Sequence, residues 1–350
     1  MTGLHGLIAW LERVDPGCQR RVKGLRLVTA YALAALMGSA QGVALGLAGR
    51  ASLGSFAAGL ALWASVSEAR TTRFESARDL AVLVLAGVVG AVSMIALGGP
   101  LTTAGRAGPE LALVIGAFLV GYLRRYGLLG AGIGSQVFIG QLLAFGFRAT
   151  VVDLPTVAVA GVIAAVAAIV PRLLSGPAEH PTVPSPLASI EPAGMGLHRP
   201  ELRMGVQAAV AALLIVLVNE AISLDQSAWA ITACTYVIAA TASATVSRVL
   251  RRIAGTAVGV PLGLACLPFA PELPALVWAA AAAAMIVYAV ALPDRYDVAC
   301  GAYAFALVVT LAAAGEGSLP LLLARAWETV IGGVLGLAAA TFILPLREPG

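Results

Sequence analysis

The chain has 350 residues, of which 60% are hydrophobic and only 11% charged, with a net charge of +4. Water-soluble folds carry about 25% charged residues, so a chain this poor in polar surface is excluded from that class and reads as a membrane protein. The basic residues lie between apolar runs, where they orient helices, which argues against a nucleic-acid surface.

Residues 1–26 carry Arg13, Arg20, Arg21, Lys23 and Arg26 and read as a cytoplasmic N-terminal segment. Leu4, Leu7, Ile8, Leu11 and Val14 share one helical face, which suits either an interfacial helix or a packed cytosolic cap. The apolar run that follows is too long for a signal-peptide core. Twelve apolar segments of membrane-spanning character follow, at 27–48, 51–67, 80–98, 109–123, 127–147, 154–171, 203–222, 228–246, 253–270, 274–292, 298–315 and 319–344. With the N-terminus inside and the spans alternating, eighteen Lys and Arg fall on the cytoplasmic side. Only Arg50, Arg106 and Arg148 fall outside, and Arg325 lies within a span. That bias predicts a multi-pass inner or plasma membrane protein with both termini cytoplasmic.

Residues 173–200 are proline-rich and read as a cytoplasmic linker between a first half at 27–172 and a second at 201–347. The expected fold class is therefore all-α transmembrane, with two parallel six-helix repeats. Gly87 and Gly90 lie near the positions of Gly255 and Gly259 in the second half, and the halves close on Pro171 and Pro345.

The densest motif runs from Arg248 through Arg251 and Arg252 to Gly255, Thr256 and Gly259. The arginines suit either an anchor at the cytoplasmic face or a vestibule that attracts anions. Gly255, Gly259 and Gly263 form a small-residue row for close helix packing, here expected against spans 8 and 12. Such faces could serve contacts within the chain or a homo-oligomer. The pattern RxxxRxxGTxxG resembles the fusaric-acid-resistance-like family of transporters, which includes aromatic acid exporters. Two further stretches resemble it: Asp225 through Trp229 to Thr232, and Arg325, Trp327, Glu328, Thr329 and Gly332 in the last span. The resemblance covers about 201–347. It implies an integral membrane transporter, such as an exporter of small organic anions.

Arg325 and Glu328 sit at i,i+3 in an apolar run, where ionisable groups face protein or water. They could meet a substrate carboxylate and accept a proton, or hold helices together near the outer interface. Arg325→Ala is expected to abolish transport at normal protein level. Trp229, Thr232, Thr235 and Tyr236 make span 8 polar and could line a path or bond neighbouring helices. Its short counterpart, span 2, carries Ser55, Trp63, Ser65 and Ser67. Glu220 and Asp225 flank an outer loop, as solvated acids or proton sensors, while Glu68 and Arg70 read as a solvated ion pair.

Cys18, Cys234, Cys266 and Cys300 stand singly, and His5, His180 and His198 make no ligand spacing. No cofactor, metal or enzymatic signature is expected, and no Walker A motif occurs. The favoured expectation is a secondary transporter of organic or aromatic carboxylates, plausibly proton-coupled, in contact with membrane lipids. A passive anion channel and a non-transporting scaffold are the alternatives.

Overall fold

A computed structural model describes Asp15 and residues 18–45, 52–70, 72–174, 199–224, 226–269, 272–292, 294–313 and 319–345. These residues form helices, with no strand among them. The α-helices of the first half are α1 Gln19–Leu45, α2 Leu53–Ser67, α3 Arg73–Leu101, α4 Leu111–Tyr122, α5 Gly127–Gly146 and α6 Leu154–Leu174. Those of the second are α7 Pro200–Ile222, α8 Ser227–Val237, α9 Ala242–Ala265, α10 Pro274–Ala291, α11 Tyr296–Ala313 and α12 Leu319–Phe342.

Among the described residues, five helical stretches are long and apolar enough to cross a membrane: 73–104, 108–146, 151–174, 200–222 and 242–269. The second of these folds back on itself. A 3-10 turn at Leu123–Tyr126 and Gly127, at φ 74°, separate α4 from α5, and the two helices pack together. Four shorter apolar helices, including Leu53–Ser67 in the first half, accompany the long ones.

Helix boundaries depart from the expected ones in ways the side chains explain. Asp15 draws the start of α1 back into the segment expected to precede it, because its carboxylate accepts the Arg20 and Arg21 amides at 2.9 Å each. Residues 175–198 of the expected linker lie outside the described residues. The expected span at 228–246 is not one helix. It stops at Val237, runs extended through Ile238 and restarts at Ala242, ahead of the expected 253. Hydroxyl side chains compete with a helix's own hydrogen bonds, and this stretch is rich in them. Thr241 Oγ1 caps α9 by accepting the Ala244 amide at 3.2 Å, and Thr245 Oγ1 takes the Ala239 amide at 3.1 Å.

Many alanines pack inside beside buried Phe56, Leu60, Leu113 and Phe138, while a second set of large apolar side chains faces outward. Ala57, Ala58, Ala61 and Ala64 of α2 and Ala160, Ala164 and Ala167 of α6 are buried. Leu36, Leu85, Val162, Leu217, Leu250 and Val258 are exposed. Helices in lipid gain nothing by hiding leucine from the solvent but do gain from close backbone approach, so buried alanines beside outward-facing leucines fit a bilayer.

In the first half, α1 packs on α2 and α6, α2 on α3 and α6, α3 on α5 and α6, and α4 on α5. In the second, α7 packs on α8 and α12, α8 on α9 and α12, α9 on α11 and α12, and α10 on α11. The halves meet where α4 packs on α7 and α8, where α10 packs on α1, and through ring contacts of α2 and α8. Glycines make the tightest crossings. A methyl on Gly140 of α5 would overlap the Gly87 carbonyl of α3, and one on Gly90 would lie 2.8 Å from Val137 Cα. Likewise a methyl on Gly259 of α9 would lie 2.9 Å from Gly301 Cα of α11. The glycine row of α9 therefore faces α11, not α8 and α12 as expected. Gly332 and Gly336 of α12 supply the close approach to α8 instead, against Ala233 and Cys234.

Candidate functional site

The site is built around the two short helices. With 11 residues, α8 rises about 16 Å, roughly half of a hydrocarbon core about 30 Å thick. Irregular backbone at such depth needs cover and satisfied polar groups. Ile238 and Ala239 are 2% and 4% exposed, and Arg248 Nη1 donates to the Ile238 carbonyl at 3.4 Å. The end of α2 is held in a similar way, by Lys23 Nζ donating to the Val66 and Glu68 carbonyls at 3.1 and 2.6 Å.

Each short helix sends an aromatic ring into the opposite half. The Trp63 ring of α2 lies 5.3 Å from Tyr303 of α11 and 6.4 Å from Tyr288 of α10, edge-on to both. Tyr288 and Tyr303 are themselves 6.1 Å apart. The Tyr236 ring of α8 lies 6.0 Å from Phe138 of α5, and its hydroxyl is 2.6 Å from Ser135 Oγ. Trp63, Tyr236, Tyr288 and Tyr303 are all half-buried.

Arg252 enters this cluster from α9. Its Nη1 reaches the Tyr296 hydroxyl at only 3.5 Å, and its Nε is buried without a hydrogen-bond acceptor among the described residues. Tyr236, Tyr303 and Cys300 lie within its electrostatic range. Arg124, in the turn between α4 and α5, lies within range of Arg248 and Tyr236. A guanidinium with unspent donors beside edge-on rings suits a flat anion, which needs charge at one end and aromatic surface at the other.

The other expected site residues lie elsewhere. Arg251 is exposed and reaches the Asp294 carbonyl at 3.5 Å, where Arg20 also pairs with Asp294 at 2.5 Å. Thr232 and Thr235 give their hydroxyls to the Ala228 and Ile231 carbonyls of their own helix, each at 2.7 Å. Thr256 is buried beside the α9 glycine row. Trp229 Nε1 donates to Gln226 Oε1 at 3.0 Å, at the far end of α8 from Tyr236. Glu220 is exposed and accepts the Ala107 amide at 2.7 Å. Asp225 and the side chain of Arg325 lie outside the described residues. Glu68 does not form the expected solvated pair. It is buried and accepts from Ser76 Oγ at 2.5 Å, whereas the Arg70 guanidinium pairs with Asp79 at 2.5 Å.

Glu328 is fully buried on α12, and its Oε1 accepts the Gln226 amide at 2.8 Å, immediately ahead of α8. Glu328→Gln keeps that acceptor and should melt like the wild type. Glu328→Leu leaves a buried amide unmatched, which costs about 1–3 kcal/mol. Thermal unfolding of the two variants in detergent separates these outcomes, and equal melting of both would remove the capping role.

Tyr288, Tyr296, Tyr303, Ser135 and Arg124 join the site without having been expected. Tyr296 and Tyr303 stand at i,i+7 on one face of α11, a spacing that could have pointed to them. Ser135 and Tyr236 are 101 residues apart, and nothing local links them. The first half lacks a matching cation. Counting back from Gly87 as from Gly255, buried Val84 and Leu80 stand where α9 carries Arg252 and Arg248.

Residues 210–339 match a family model described as fusaric acid resistance protein-like. The matched span holds Arg252, Tyr296 and both glycine rows of the second half. No curated protein and no solved structure matches the chain.

Proposed function

We propose that this multi-pass membrane protein, whose residues 210–339 match the fusaric acid resistance protein-like model, is a secondary transporter of small organic anions. In this reading it exports aromatic carboxylates across the inner membrane in exchange for protons. The observation that carries it is Arg252, which reaches Tyr296 and lies within range of Tyr303, whose ring packs edge-on against Trp63 of the opposite half. The carboxylate would meet Arg252, and the ring would lie among the aromatic side chains. Arg124 and Arg248 would raise the local anion concentration at the mouth.

The helix pairings support two parallel six-helix repeats. The pairs formed by α1, α2 and α6 recur in α7, α8 and α12, and the α3–α5 crossing recurs as α9–α11. The α4–α7 and α10–α1 contacts between halves exchange under the same shift of six helices. Rocking of such halves about a central site would give alternating access. The arginine-rich ends touch one another, through Arg20 with Asp294, Arg73 with Leu173 and Arg203 with Pro345, which supports one shared face. The positive-inside rule makes that face cytoplasmic.

Flux of aromatic and aliphatic carboxylates in proteoliposomes, with and without an imposed pH gradient, tests the reading. Saturable, gradient-dependent flux is the expected result. Arg325→Ala should lower it at unchanged protein level, and full flux in that variant would remove Arg325 from the path. Large unitary currents would instead identify a channel. Absence of flux together with a fixed copurifying partner would identify a scaffold.

A further inference from the structure

Glu110 closes one end of the contact between α4 and α7, and it is 5% exposed. Its Oε1 accepts from Asn219 Nδ2 at 2.6 Å and from Ser227 Oγ at 2.7 Å. Its Oε2 is buried and meets no donor among the described residues. Both donors are neutral, and both come from the second half, whereas Glu110 belongs to the first. The carboxyl therefore lies on the seam along which the two halves would part.

The charged groups described around it do not neutralise it. Arg106, in the α3–α4 connection, is the cation within range, but its guanidinium is bonded to the Asn219 and Glu220 carbonyls and to Ser223 Oγ. Glu220 on α7 brings like charge and is bonded to a backbone amide, and Glu328 on α12 is bonded to the Gln226 amide beside Ser227. Among the described residues, the start of α8 brings Ser227 and Gln226, and α3 has no charged residue beyond Asp79. Burying a carboxylate with one oxygen unmatched costs far more than burying the neutral acid, and like-charged neighbours add to that cost.

We propose that Glu110 is a proton-operated latch on the outer seam, buried as the neutral acid and ionised when the halves part. This rests on the transporter reading above. Opening lets water reach Oε2, and the acid gives its proton to the outer solution. Reclosure requires the carboxylate to take a proton back from the same side, so low outer pH speeds the return of the empty carrier. Nothing is oxidised, and the proton is balanced across one opening and closing.

The test is carboxylate flux in proteoliposomes at fixed inner pH and varied outer pH, with wild type and Glu110→Gln. The glutamine mimics the neutral acid and keeps an acceptor for Asn219 and Ser227. Raising outer pH removes driving gradient from both proteins, but wild-type flux should fall several-fold further than E110Q flux, which keeps only the dependence on the gradient. An E110Q profile that follows the wild type overturns the latch. An infrared pH titration of the purified protein reads the group directly. The wild type should hold a protonated carboxyl at neutral pH that E110Q lacks, and identical spectra overturn the proposal even if the protein moves no carboxylate. Absence of wild-type flux with a Glu110 carboxyl band present overturns the transporter reading but leaves the buried acid in place.

Discussion

Replacing Arg252 with alanine is expected to raise the KM for an aromatic carboxylate about 10- to 150-fold. That range is the equivalent of a charge-assisted hydrogen bond worth about 1.5–3 kcal/mol. The loss should appear as binding rather than folding. Arg252 makes one long contact at 3.5 Å to Tyr296, and its Nε spends no hydrogen bond on the described protein. Arg248 is different, because it holds the Ile238 carbonyl at the break after α8, so its removal should cost stability as well. Arg252→Lys keeps the charge but loses the planar fork, and it should fall between wild type and alanine. Initial rates in proteoliposomes over a range of substrate concentration check this, with melting temperature as the control. A KM unchanged in Arg252→Ala would move the anion site away from α9 and leave the aromatic cluster without its charge.

The sequence made the helices legible and the site only partly so. Eleven of the twelve apolar segments coincide with a single α-helix among the described residues, because hydrophobic run length is a local property, whereas 228–246 holds α8 and the start of α9. The break at Ile238–Thr241 was harder to read. Its signal is four hydroxyl residues in a row of seven, Thr241, Ser243, Thr245 and Ser247, and polar residues inside a span read equally well as a path lining. Gly87 and Gly90 matched Gly255 and Gly259 only weakly in sequence, yet both sets make helix crossings, on α5 and α11 respectively. Spacing along a helix says that a small face exists but not which neighbour fills it, hence the misassigned partner of the α9 glycines. Arg252 and Tyr236 were visible as charge and ring in apolar surroundings. Trp63, Tyr288 and Tyr303 were not visible as a group, because α2, α10 and α11 come together only by packing. Glu110 was hidden for the same reason, since its donors Asn219 and Ser227 are more than 100 residues away.

The second large effect is expected at the α9–α11 crossing, where Gly255→Val should lower both stability and transport. A Cβ on Gly255 would overlap the Asp297 carbonyl and lie 2.8 Å from the Gly301 amide nitrogen and 3.0 Å from Cys300 Cβ. Two of those atoms are backbone, so no rotamer change relieves them, and α11 must move as a body. Overpacking of this kind costs about 1–3 kcal/mol, and valine asks for more room than alanine. Because α11 carries Tyr296 and Tyr303, its displacement also draws the hydroxyl away from Arg252 and the ring away from Trp63. Gly255→Ala should show the same two losses at smaller size. Gly140→Val, at the matching crossing of the first half, should lower melting with less effect on KM, since α5 contributes Ser135 and Phe138 but no cation. Gly146→Ala is the control, because a Cβ there meets nothing within 4 Å. Thermal unfolding in detergent, paired with substrate titration in proteoliposomes, reads both quantities on the same samples. A Gly255→Val protein that melts and transports like the wild type would mean that α9 and α11 do not cross at Gly255, and the placement of Tyr296 beside Arg252 would fall with that crossing.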